Sequence, residues 1–296
     1  MITTPLLPSS QPVVGCFGGG LDSTTLMAID SDRSRAAAYL GVTESHLAEV
    51  FPSPDVWLFS DTGAEHAGTY AHVERLADLV PNLVIVRRDG ENIAEWCTRL
   101  GIVPLMPGGS HICSLKFKGE VMQKWVKAHT SAPATWIIGI EADEGKRAKR
   151  FQKPRNDAGT YLYPLLELGI TRDACEGILA HLGWAAPIKS SCTFCPFKSE
   201  AELRWMYRND HQAWDQCQEI ESAFEAMSAV KNQAWLDAGQ PLNKGGRAPR
   251  GMWRKNSWAE GARLFARKVN GQQLSMQEWA EIFEAERELI NLVEVI

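Results

Sequence analysis

Three consecutive glycines, set between an apolar run and a stretch of helical periodicity, restrict the fold more than any other feature of this chain. Pro12 to Phe17 (PVVGCF) reads as a buried strand, Gly18-Gly19-Gly20 as a tight loop, and Leu21 to Tyr39 as a helix. The pattern recurs. Asp55 to Ser60 (DVWLFS) is of buried-strand type, Asp61-Thr62-Gly63 is a turn, and Glu65 to Val80 is amphipathic. Leu83 to Arg87 (LVIVR) is a third strand, followed by a helix through Trp96. Pro104 to Ser110 (PLMPGGS) is turn chemistry and a candidate mobile loop, and Lys116 to His129 is helical in pattern. Ala134 to Ile140 (ATWIIGI) is the last core strand expected, and Thr171 is placed to cap a helix ending at Leu182. Apolar strands alternating with helices predict an α/β protein with a doubly wound, mainly parallel sheet covered on both faces. Ligand-binding loops then belong at the carboxyl ends of the strands.

Beyond Cys195 the sequence becomes helical and rich in tryptophan, which divides the 296 residues into an α/β domain over 1–197 and a C-terminal helical subdomain over 198–296. No run of about 18 apolar residues occurs, and Met1 to Pro12 lacks the layout of a secretory signal, so a soluble, cytoplasmic protein with no membrane partner is expected. Seven cysteines, an odd number with one Cys-x-x-Cys pair, suit reduced thiols and a metal or redox site better than a disulfide framework. The net charge of -5 argues against a globally basic nucleic-acid coat. Oligomeric state is left open, and a homo-oligomer is compatible with the sequence.

The loop Gly18-Gly19-Gly20-Leu21-Asp22-Ser23-Thr24 follows a strand and opens a helix, whose free N–H groups and dipole favour an anion. A Walker-type loop requires lysine where Asp22 stands, and a dinucleotide fingerprint requires glycine where Ser23 stands. What remains resembles the S-G-G-x-D-S loop of the adenine nucleotide alpha-hydrolase (PP-loop, N-type ATP pyrophosphatase) superfamily. The resemblance implies that Gly18, Gly19, Gly20, Asp22, Ser23 and Thr24 hold the pyrophosphate end of ATP, with Gly18 replacing the leading serine.

From about residue 12 to about residue 215 the chain is most similar to the phosphoadenosine-phosphosulfate (PAPS) reductase-like branch. The branch's second marker is Asp61-Thr62-Gly63. It implies Asp61 on a ribose hydroxyl or a metal and Leu58 and Phe59 against adenine, the alternative being Asp61 as a turn former. The third is Gly139-Ile140-Glu141-Ala142-Asp143-Glu144-Gly145-Lys146-Arg147, similar to G-I-R-x-x-E-S-x-R. It implies Gly139 at the nucleotide and Lys146 and Arg147 neutralising the pyrophosphate leaving group, against a solvated charged loop. Here Glu141 replaces arginine and Gly145 serine, which tells against a sulfate- or phosphate-bearing second substrate. Asp22, Ser23, Lys146 and Arg147 are the candidate catalytic residues, with Mg²⁺ on the phosphates and Asp22 or Asp61 as its ligand.

Cys192-Thr193-Phe194-Cys195-Pro196 has the spacing by which two thiolates reach one metal, and Cys113 is the best third ligand. One cysteine plus a Cys-x-x-Cys resembles the ligand set of cluster-dependent tRNA thiolation enzymes in the same superfamily, with the order reversed. A [4Fe-4S] cluster is favoured, zinc with His111 as fourth ligand is the alternative, and unmetallated thiols come third. Cys16, Cys97, Cys175 and Cys217 fall within strand or helix patterns and read as small buried residues.

Lys244 to Lys268 carries eight basic residues against the single acid Glu260, with Trp253 and Trp258 interleaved. That is either a nucleic-acid footprint or a surface helix packed through its tryptophans. The leading expectation is therefore an enzyme that splits ATP into AMP and pyrophosphate to adenylate an acceptor, coupled to sulfur transfer at the cysteines, with nucleic acid as a candidate acceptor. A PAPS reductase is disfavoured because no cysteine follows Cys217, leaving no thiol in the tail to capture sulfite. A nucleotide-binding sensor without turnover is the third reading.

Overall fold

The computed structural model describes residue 7 and residues 11–104, 112–147, 159–240 and 263–294. Two compact units divide the chain: residues 1–88 with 115–191, and residues 89–114 with 192–296. The boundary expected after residue 197 lies close to the division at residue 192, and the segment 89–114, not foreseen, also belongs with the C-terminal part.

In the first unit, β1 (Val13–Phe17), β2 (Val56–Asp61), β3 (Leu83–Arg87), β4 (Thr135–Ile138) and β5 (Thr160–Leu162) form an all-parallel sheet in the order β3-β2-β1-β4-β5. Alternation along β2 shows how both faces are covered. Trp57 and Phe59 join a core with Leu26, Ile29, Leu76 and Ile178, while Val56 and Leu58 join another with Val14, Val126 and Trp136. The first face is covered by helices α1 (Leu21–Ser31), α2 (Arg33–Leu40), α3 (Glu44–Val50) and α4 (Ala67–Leu79), and the second by a helix at Glu120–His129.

The helix expected over Leu21 to Tyr39 is broken at Asp32, whose carboxylate accepts the Arg35 N–H at 3.1 Å and caps α2. The helix expected from Lys116 begins instead as a π-type segment at Cys113–Gly119. Strand β5 lies beyond the strand expected to be last. Its three residues pair with β4, and they are too few to show a period.

The second unit opens with α5 (Ile93–Leu100), capped by a reciprocal Asn92–Glu95 box; numbering continues with α6 (Glu120–His129), α7 (Pro164–Glu167) and α8 (Arg172–Leu182) of the first unit. It then contains α9 (Glu200–Asn209), the long α10 (His211–Asp237), the hairpin β6 (Lys268–Val269) and β7 (Gln272–Gln273), and α11 (Met276–Glu294). Gly101 lets α5 approach α10, because a Cβ there would sit 2.7 Å from the Ala223 carbonyl oxygen. Trp214, Trp279 and Phe283 form an aromatic core, the last two stacked with centroids 5.5 Å apart. Among the described residues no helix is long and apolar enough to cross a membrane.

Candidate functional site

A sheet ordered β3-β2-β1-β4-β5 reverses direction between β1 and β4, and the loops leaving those neighbouring strands must diverge. A cleft of about 480 Å³ opens there, within the first unit. Its floor is the end of β1 (Cys16, Phe17 and Gly18) and the end of β4 (Ile138 and Gly139). Gly20, Leu21, Asp22 and Ser23 form the start of α1 along one side.

The loop is held from several directions. Gly18 N–H donates to Ser23 Oγ at 3.1 Å, and Ser23 Oγ donates to the Gly20 carbonyl at 3.2 Å. Ser190 Oγ donates to the Gly18 carbonyl at 2.8 Å, tying the loop to a distant segment. Gly19 has φ of +71°, and a Cβ there would lie 2.9 Å from Thr69 Cγ2. At Gly139 a Cβ would lie 3.0 Å from the Ser23 nitrogen, so β4 and the loop touch only because glycine stands at this position. The first helix, α1, begins at Gly20 with no side-chain cap, whereas Asp32, Thr43, His66 and Thr171 cap their helices in the same unit. The amino end of α1 therefore faces the cleft with its dipole uncovered.

Behind the loop, Thr24 Oγ1 donates to the Gly20 carbonyl at 2.8 Å and lies 2.9 Å from His72 Nε2. Burial, with a smaller contribution from Arg75, pushes the His72 imidazole down to about 4. The ring is therefore neutral at pH 7.

Charges of both signs line the cleft: Lys118, Arg147, Arg172 and Lys189 against Asp22, Glu141 and Glu144. Lys118 Nζ lies 3.1 Å from the buried Glu65, and Arg147 pairs with Glu144 at 2.7 Å. Burial first, then Glu144, raises the Asp22 carboxyl above its ordinary range, with Arg172 and Arg147 opposing. Glu141 is only 7% exposed and is raised by burial and by Asp22, Asp143 and Glu144. One of its oxygens, Oε2, is buried without a hydrogen-bond partner. Leaving such an atom unsatisfied costs about 1–3 kcal/mol.

Of the residues singled out from sequence, Gly18, Gly20, Asp22, Ser23, Gly139 and Arg147 line the cleft, and Lys146 does not. Gly19 and Thr24 shape the loop from behind. Phe59 is 1% exposed and belongs to the core, packed 5.8 Å from Phe17, so no face of it is turned to adenine. Asp61 ends β2 rather than forming a free turn, and its carboxylate is engaged. Oδ1 accepts from Tyr70 Oη at 2.9 Å and from Gly63 N–H at 2.7 Å, and Oδ2 pairs with Arg87. Both oxygens of Asp61, expected to meet a ribose hydroxyl or a metal, thus already accept hydrogen bonds within the protein. Lys118, Arg172, Lys189 and Ser190 were not foreseen. They fall on irregular segments or on a helix start, where no period distinguishes them.

Cys113, Cys192 and Cys195 all belong to the second unit. The pair closes a turn, with Cys195 N–H donating to the Cys192 carbonyl at 3.2 Å. Among the described residues no group of three His, Cys, Asp or Glu side chains is placed to hold a metal ion. His111 lies outside the described residues. Cys97, Cys175 and Cys217 are buried thiols as expected, whereas Cys16 is partly exposed in the cleft floor, where burial of its sulfur pushes it up to about 12. Most of Lys244 to Lys268, with Trp253 and Trp258, lies outside the described residues. Of its described cations, Arg263 pairs with Glu225 at 2.6 Å and Arg267 with Glu200 at 3.4 Å.

Neither protein-family models nor curated proteins match this sequence.

Proposed function

We propose that this protein binds ATP in the β1/β4 cleft and splits it between the α- and β-phosphates, as an N-type ATP pyrophosphatase does. One observation carries the reading: a glycine loop braced by Ser23, Ser190 and Gly139 opens at the reversal of the sheet onto an uncapped helix start. Backbone N–H groups and the α1 dipole would grip the terminal phosphates. Lys118, Arg147, Arg172 and Lys189 supply the positive charge that a polyphosphate and its departing pyrophosphate require. Asp22, at the loop, is the group placed to hold a Mg²⁺ on the phosphates; the ion would withdraw charge from the reacting phosphorus. Fold, cleft position and loop chemistry together support the superfamily resemblance. The helices of the second unit, α5, α9, α10 and α11, are read as its helical subdomain.

Sulfur transfer, a nucleic-acid acceptor and a cytoplasmic location belong to the same reading and rest on the sequence alone. A nucleotide sensor is the competing reading, favoured by Glu141 and Glu144 facing the site where charge must be neutralised. Pyrophosphate release from Mg-ATP, measured by a coupled assay beside calorimetric ATP binding, decides between them. Binding with release supports the enzyme, binding without release the sensor, and no binding removes both.

A further inference from the structure

Glu141 stands among acids, with a backbone N–H of Arg172 as the opposing influence. Asp22, Asp143 and Glu144 act on Glu141, while Arg147 and Arg172 oppose the acids around Asp22. Arg147 is already engaged with Glu144. Glu141 itself is more than nine-tenths buried, lines the cleft, and has one carboxylate oxygen with no hydrogen-bond partner. A buried acceptor of this kind is satisfied most directly by a donor that a ligand brings in.

We propose that Glu141 receives an N–H donor of a primary ammonium group, with Asp22 contributing only negative charge nearby, so that the molecule meeting the nucleotide in this cleft is an amine and not a sulfated or phosphorylated anion. The proposal names the second substrate of the ATP-binding reading and rests on that reading for what the amine meets. An ammonium carries three N–H donors, and Glu141 Oε2 offers an acceptor for one of them in a negative surround.

The test uses the full-length protein with n-propylammonium as probe and tetramethylammonium as a control of equal charge without N–H donors. Saturation-transfer NMR titrations, with and without ATP, should give propylammonium at least ten-fold tighter than tetramethylammonium. The preference should be lost in Glu141→Gln, whose fold is checked by circular dichroism. Equal binding of the two cations by the wild-type protein would overturn the proposal whether or not the variant folds, and so would tighter binding of methyl sulfate than of propylammonium. Displacement of propylammonium by millimolar Mg²⁺ alone would also overturn it, in favour of a metal. Calorimetry with ATP is read separately: a protein that selects propylammonium but ignores ATP retains this site and loses the nucleotide reading, and the converse result does the opposite.

Discussion

At the scale of single residues, the three glycines of the loop are not equivalent, and their differences can be tested. Gly18 has open space around it: a Cβ would approach nothing closer than Ser23 Oγ at 3.9 Å. Gly18→Ser, which gives the loop the serine of the superfamily pattern, should leave the melting temperature within a degree or two of wild type. Gly19 combines φ of +71° with a Cβ contact of 2.9 Å, so Gly19→Ala should cost about 1–3 kcal/mol and weaken ATP binding at least ten-fold. Equal behaviour of the two variants in thermal melts and ATP calorimetry would contradict the loop geometry. Much of this site could be read from the sequence, because a glycine run between a strand and a helix serves the same backbone purpose wherever it occurs. Asp61 and Phe59 could not be read in this way. Whether a carboxylate at a strand end is free depends on partners such as Tyr70 and Arg87, whose approach only the folded chain decides.

Among the elements, those with a strong period were recognisable. β1 to β4 and helix α8, with its Thr171 cap, follow apolar runs or capping residues that are visible along the chain. The short elements were not: α3 spans seven residues and β5 three, too few for a period to emerge from composition. Insertion of residues 89–114 into the second unit leaves no local mark either, because it is a matter of which core the segment joins. The entry to β5 is nevertheless demanding. Gly159 has φ of +98°, and a Cβ there would lie 1.8 Å from the carbonyl oxygen of Ala134, at the start of β4. Because that neighbour is backbone, no rotamer change relieves the clash. Gly159→Ala should therefore destabilise the protein by more than about 2 kcal/mol in urea unfolding, although the residue is remote from the loop. A midpoint unchanged from wild type would mean that β5 is not paired with β4 as described.

For the whole molecule, stability against pH is a sum of opposing contributions from buried groups, and the sign of each follows from its displacement. His72 is pushed down to about 4 from the ordinary value of about 6.5, so the unfolded chain binds the extra proton first as pH falls. Its contribution is complete above about pH 6.5 and is lost progressively towards pH 4. Asp22, Glu141 and Glu221 are displaced upward, chiefly by burial. Their contributions are complete below the ordinary carboxylate range and are lost as pH rises through their raised values. Glu221 is the clearest case for separating the two slopes, because its oxygens accept the Leu264 and Met276 N–H groups at 2.8 and 2.7 Å, within the second unit. Glu221→Gln should thus lose less stability, or gain some, at pH 7 relative to pH 4. Glu221→Ala should lose about 2–4 kcal/mol at pH 4, since two buried donors are left unmatched, and less at pH 7. His72→Gln should have the reverse dependence, removing about 1–2 kcal/mol of the wild-type loss between pH 6.5 and 4 even if the lost contact with Thr24 lowers stability uniformly. Urea midpoints of the three variants at pH 7, 5.5 and 4 provide the check. If His72→Gln runs parallel to wild type across that range, the imidazole behind the glycine loop is not the buried, neutral group on which the bracing of Thr24 depends.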